Sequence, residues 1–192
     1  MTIEYIQLPY YVIPFEYHNM LKEELLESID KHAEENSNFI ENKTSKIAKT
    51  DFFVGNETRF ESEYFQTIKE HLSQPFDEFF EKYIKETEVN VSGEEITGFD
   101  VTNFWFQQYG KKDHHGWHIH FGNDMSVVYY LELPEGTPTT SFKTANGKDI
   151  SANAKEGDFI FFPSVAPHCS PENLSDDRKT IISFNLTLNG AT

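Results

Sequence analysis

Four of the chain's eight histidines fall within seven residues, in the segment DHHGWHIHFGNDMSVVYYL that runs from Asp113 to Leu131. His118 and His120 stand two apart in a short apolar run. Side chains alternate along a strand, so this spacing aims both imidazoles at one face. Ile119 and Phe121 then face the other way, where they can pack. Two neighbouring imidazoles need partners for their nitrogens, and both cannot readily take a proton side by side. A divalent metal meets both demands, because neutral imidazole is a common ligand. The plainer alternative is a pair of surface histidines beside a turn, and His114 and His115 read as such solvated loop residues. A third histidine, His168, follows in KEGDFIFFPSVAPHCSPENLSDDRKTIISFNL, after a Gly-Asp turn and an aromatic strand. Arg178 and Lys179 then open the last apolar run.

The elements that must position these residues divide the chain in two. Leu21, Leu25, Ile29 and Ala33 recur at helical spacing, and Phe65, Ile68, Leu72, Phe76, Phe79 and Tyr83 form a second stripe. Pro75 interrupts that stripe, which predicts either a kinked helix or two helices. Between the stripes, TDFFVGNETRF reads as an extended piece and a turn. The second half holds ITGFDVTNFWFQQYG, SVVYYLEL, DFIFFP and TIISFNLTL, short runs rich in β-branched and aromatic residues and bounded by Gly, Pro, Asn and Asp. Strands without helices between them predict a sandwich or barrel. The expectation is one domain over 1–192, with a helical buttress over about 1–95 and a β core over about 96–192.

Composition excludes several function classes. With 18 Phe, 9 Tyr and 2 Trp in 192 residues, the chain carries enough apolar area for a real core. A net charge of −16 without a Lys/Arg cluster argues against a nucleic-acid partner. No apolar segment reaches bilayer length, and the N-terminus lacks the pattern of a signal peptide. One cysteine, Cys169, leaves no internal disulfide. A cytoplasmic protein with no nucleic-acid or membrane partner is expected.

Taken in order, QQYG, HIH, VVYYL, the GD-aromatic strand, His168 and the RK-led final strand resemble the iron(II)- and 2-oxoglutarate-dependent dioxygenases. The prolyl-4-hydroxylase-like branch, with its small bacterial and phage relatives, is the nearest likeness. The resemblance spans roughly Ile96 to Leu188. It implies a mainly β fold with α, a double-stranded β-helix (jelly roll) supported by N-terminal helices. It also implies Fe(II) held by His118, His120 and His168, with 2-oxoglutarate and O2 as cosubstrates. The reaction would turn 2-oxoglutarate into succinate and hydroxylate a C–H bond of a small-molecule or peptidyl substrate, such as a peptidyl proline or another amino-acid side chain. In one respect the sequence departs from the family's pattern: His120 stands where a carboxylate is usual, which makes the site one unit more positive. Asp124, across the turn, is the weaker candidate for that carboxylate.

In the family a basic residue at the start of the final strand binds the distal carboxylate of 2-oxoglutarate. Lys179 shares its strand parity with Ser183 and Asn185, while Thr180, Ile182, Phe184, Leu186 and Leu188 form the apolar face. Lys179 therefore points inward on a regular strand, and Arg178 would do so only across a bulge. By the same parity Tyr130 lies with Ser126 and Val128, and the resemblance puts it beside the carboxylate, with Tyr109 lining the same pocket. Cys169, next to His168, reads as a small residue near the site. Two other readings stay open: a three-histidine cupin-like dioxygenase that does not use 2-oxoglutarate, and a catalytically inactive jelly-roll binding module.

Overall fold

The computed structural model describes residues 8–87, 90–91 and 94–190. The apolar runs of the second half form the strands they predict: β5 (Glu94–Tyr109), β7 (Met125–Glu132), β10 (Asp158–Pro163) and β12 (Lys179–Gly190). Shorter strands join them: β6 (His114–His118), β8 (Ser141–Lys143), β9 (Asp149–Ser151) and β11 (His168–Ser170). The first half adds β1 (Tyr11–Pro14), β2 (Asn38–Glu41) and β3 (Ser45–Thr50), and β4 (Asn90–Val91) precedes β5. All pairings are antiparallel, and the order along the sheet is β1-β10-β7-β12-β5-β3-β6-β11-β8-β9, with β2 on β3 and β4 on β5. The sheet curls into a jelly-roll half-barrel.

The first half is therefore less purely helical than the sequence predicts. Its strand β3 joins the two arms of the roll: Lys49 and Thr50 pair with Gln108 and Gln107 of β5, while Ser45 and Lys46 pair with His115 and His114 of β6. The segment SKIAKT has one large apolar residue, Ile47, so its strand state depends on pairing partners distant in sequence. The helices are α1 (His18–Glu35), α2 (Asn56–Phe60), α3 (Glu63–Lys69) and α4 (Ser73–Thr87). The stripe around Pro75 is two helices, because the proline falls in the first turn of α4, where its missing N–H has no intrahelical partner to lose. Asn56–Phe60, expected within an extended stretch and turn, is the short helix α2. Among the described residues no helix is long and apolar enough to cross a membrane.

Strand parity divides the core. On the helix-facing side, Val127, Tyr129 and Leu131 of β7 and Ile182, Phe184 and Leu186 of β12 pack with Leu25, Ile29, Phe65 and Phe79. Phe79 lies flat on Phe161, with centroids 4.4 Å apart and planes 6° from parallel, and Phe65 stacks on Phe104 at 4.1 Å. Removing one such ring costs about 3–5 kcal/mol. On the inner side, Val128 and Tyr130 of β7, Ile160 and Phe162 of β10, and Ile181 of β12 form a second cluster with Tyr109 and Ile47.

A fully buried carboxylate fixes the loop after β3. Asp51 accepts hydrogen bonds from Tyr64 Oη at 2.6 Å and from the Phe106 amide at 2.9 Å, with His32 Nε2 3.4 Å away. Burial, first, and the adjacent Asp51 push the Tyr64 hydroxyl well above its ordinary range, so it stays a donor. The next two residues, Phe52 and Phe53, are thereby held out on the surface, 41% and 67% exposed.

One glycine sets how closely β6 approaches β3. A Cβ on Gly116 would lie 2.4 Å from the backbone oxygen of Thr44. Gly116→Ala should therefore destabilise the protein by about 1–3 kcal/mol, as overpacking does, and reduce Co(II) binding by displacing His118. Thermal unfolding and metal stoichiometry check this. Gly98→Ala in β5, whose added Cβ meets nothing within 4 Å, should leave metal binding unchanged.

Candidate metal centre and cosubstrate pocket

His118 is the last residue of β6 and pairs with His168, the first residue of β11. His120 lies two residues beyond the end of β6, where its amide donates to Ser164 O at 2.9 Å. Nitrogens of the three rings lie within 4.8 Å of one another. Each Nδ1 already has an acceptor: Gly116 O for His118 (2.8 Å), Ala166 O for His168 (2.9 Å) and Asn185 Oδ1 for His120 (2.7 Å). Ser126 Oγ lies 3.0 Å from the same His120 nitrogen. With Nδ1–H donating in each ring, the lone pairs are on Nε2, the tautomer that outer hydrogen bonds impose on metal-bound histidines. Burial lowers the pKa of all three, and it takes His168, beside His118, down to about 3. Three neutral imidazoles with their second nitrogens tied back fit a divalent ion such as Fe(II).

The other face of the HxH segment departs from the sequence expectation. Because β6 stops at His118, Ile119 and Phe121 do not pack into a core; both line an open cleft, and Phe121 is 84% exposed. His115 is no solvated loop residue either. It stacks on His118 with centroids 4.1 Å apart, and burial drives its pKa down to about 3. A register shift between β6 and β11 explains this: His118 faces His168, but Ser170 faces His115, three residues back instead of two. The bulge turns His115 to the side of His118, and period-two counting cannot see it. Asp124 is not at the site. Its carboxylate accepts the Leu188 amide at 2.8 Å, near the C-terminal end of β12.

Behind the histidines a narrow cavity runs along the inner face, past Ser183, Ile181, Thr140 and Ser170 to Tyr109. Lys179 closes that end. It is 1% exposed, and its Nζ donates to Pro138 O at 3.0 Å and Ser170 Oγ at 3.1 Å, over the rings of Tyr109 and Tyr130. No carboxylate among the described residues lies within ion-pair distance of it. Burial pushes its pKa down to about 7. Tyr109 Oη is buried, and the Ser170 side chain is the polar group beside it.

Three other residues expected around the cosubstrate are engaged elsewhere. Arg178 points outward, where it donates to Asp30 at 2.7 Å and Glu132 at 2.8 Å and ties β12 to α1 and β7. The bulge that would turn it inward falls on β7, opposite Thr180 and Ile181, and leaves the β5–β12 register regular there. The Tyr130 hydroxyl is fully used by Thr140, donating to Oγ1 at 2.8 Å and accepting the amide at 2.9 Å. Asn185 holds His120 in place. Ser183 lines the cavity, and Cys169 is buried beside His168.

No protein-family model matches the sequence, and neither does any curated protein. Solved structures do match its fold. A prolyl-4-hydroxylase from Pseudomonas putida superposes with a TM-score of 0.61 at 12% identity, over 93% of this chain and 92% of that one. A 2OG-Fe(II) oxygenase-family oxidoreductase from Burkholderia pseudomallei gives 0.57 at 12% identity, over 92% of each. The non-heme alpha-ketoglutarate-dependent epimerase SnoN of nogalamycin biosynthesis gives 0.66 at 11%, over 93% of this chain and 78% of that one. What the chain shares with all three is the double-stranded β-helix of the 2-oxoglutarate- and Fe(II)-dependent oxygenases, with N-terminal helices packed against it.

Proposed function

We propose that the chain is an Fe(II)- and 2-oxoglutarate-dependent hydroxylase acting on an amino-acid side chain, free or within a peptide. The observation that carries the cosubstrate is Lys179. A buried ammonium without a counter-charge is costly, and a carboxylate arriving beside it would relieve that cost. The Tyr109 hydroxyl and the Ser170 side chain beside it flank the same end of the cavity. We assign the distal carboxylate of 2-oxoglutarate to Lys179 and Tyr109. Tyr130, whose hydroxyl is already satisfied, shapes the wall.

His118, His120 and His168 would hold the iron. With iron bound, O2 would be the oxidant: one of its atoms would go into succinate as 2-oxoglutarate loses carbon dioxide, and the other into the substrate C–H bond as a hydroxyl. The protein's part is orientation and exclusion of water. Asn185, Gly116 and Ala166 fix the imidazoles, Lys179 orients the keto acid along the cavity, and Phe162, Val128 and Ile181 keep the walls apolar. The three-histidine donor set, which lacks a carboxylate, favours one rival reading: a cupin-like dioxygenase without 2-oxoglutarate.

Anaerobic titration separates the two. The Fe(II)-loaded protein should develop a metal-to-ligand charge-transfer band as 2-oxoglutarate is added, whereas the rival predicts none. A His118→Ala/His168→Ala double variant should lose the metal, and His120→Asp should retain it; inductively coupled plasma measurements give the stoichiometry.

Charge-assisted bonds contribute about 1.5–3 kcal/mol, so Lys179→Ala should weaken 2-oxoglutarate about tenfold to a hundredfold. Arg178→Ala should leave that affinity unchanged while lowering the melting temperature. A dicarboxylate pairs with the protonated amine. Since Lys179 titrates at about 7 when free, affinity should hold below that pH and fall by up to about tenfold per unit above it. Isothermal titration across pH 6 to 9 measures the slope, and a flat profile would remove Lys179 from the role.

A further inference from the structure

The metal-ligand face opens into a cleft of about 420 Å³. Phe52 and Phe53 meet edge to face at 5.1 Å on one side of it, and Phe52 meets Trp105 in the same way at 5.1 Å. These rings are held exposed by the Asp51 anchor and by Arg59, which donates to Phe52 O at 3.2 Å. Apolar area kept in water by a rigid support is area available to a ligand. Among the described residues lining the cleft, none is Asp, Glu, Lys or Arg, in a chain of net charge −16. Asn103 lines the cleft, and its buried Oδ1 has no hydrogen-bond partner among the described residues, so its side-chain amide is not committed elsewhere there.

We propose that this cleft selects an uncharged substrate that lays an apolar group against Phe53 and hydrogen-bonds the side-chain amide of Asn103. The inference rests on the reading of the histidine site as catalytic, and it deepens that reading by naming the substrate's charge and polarity. A charged group entering the cleft loses its hydration and finds no Asp, Glu, Lys or Arg among the described lining residues, which costs far more than an amide that keeps one hydrogen bond. The overall negative charge makes this discriminating. The long-range field draws cations toward the protein, so rejection of a cation must come from the cleft itself.

The test needs neither iron nor 2-oxoglutarate, so its outcome is independent of the Lys179 experiments. Trp105 and Trp117 are the only tryptophans, and Trp117→Phe leaves Trp105 as the sole reporter. The probes are N-acetyl-phenylalaninamide, which is neutral, phenylalaninamide, which is cationic, and N-acetyl-phenylalanine, which is anionic. The neutral probe should shift Trp105 emission saturably, and both charged probes should bind at least about tenfold more weakly. Phe53→Ala and Asn103→Leu should each weaken the neutral probe, with circular dichroism confirming the fold. Asn103→Asp should raise affinity for the cationic probe above that of the parent. The proposal is overturned if the cation binds as well as the neutral probe, if neither variant changes binding, or if the neutral probe gives no saturable shift up to its solubility limit.

Discussion

Three imidazoles can share one largely desolvated space only while each stays neutral, with a single N–H. That constraint organises this molecule. Desolvation keeps the rings neutral, and three separate acceptors hold each Nδ1–H so that the opposite nitrogens stay available. Those acceptors come from β6, from the turn before β11 and from β12, so the site exists only where these segments meet. Lys179 poses the complementary problem at the other end of the cavity. There an amine is buried among dipoles, with no carboxylate within ion-pair distance among the described residues. The inner face of the roll thus combines neutral donors to a metal with a charge that lacks its partner, between walls of Phe, Ile and Val.

Much of this was legible in the sequence because β12 is regular where it matters. Counting by twos from Asn185 to Lys179 gives the right face, and the same count separates the helix-packed Ile182, Phe184 and Leu186 from the cavity side. His118 and His168 were legible too, although their direct pairing across β6 and β11 was not. Irregularity hid the rest. The bulge that carries His115 to the side of His118 cannot be found by alternation, nor can the early end of β6, which leaves Phe121 in solvent. Tyr130 shows a different limit. Parity gave its face correctly, but Thr140 takes its hydroxyl, and only the fold brings that residue near. β3 escaped notice because SKIAKT has almost no intrinsic reason to be a strand; its reasons lie in β5 and β6.

The anchor at Asp51 links the helical layer to the face that bears the histidines. One carboxylate binds a tyrosine of α3 and an amide of β5, so the helices that cover the outer face of the sheet also fix the loop bearing Phe52 and Phe53 at the cleft. Support and recognition are therefore coupled through a single buried polar group. Such groups are costly when only partly satisfied. The aromatic wall consequently has little freedom to reorganise around ligands of different shape.

The sheet order carries a consequence for biogenesis. β12 lies between β7 and β5, yet it is the last of the described strands to leave the ribosome. Until it emerges, β5 and β7 each present an unpaired edge, and Phe104, Phe106, Val127 and Tyr129 lack the neighbours that bury them. Exposed edges of this kind template aggregation. The roll therefore cannot close until β12 has emerged, and Lys179 and Asn185 reach the site after the residues of every other described strand. Until then Asn185 cannot hold His120, the three histidines stay unassembled, and chaperone protection during synthesis would matter more here than in a protein whose central strand is made first.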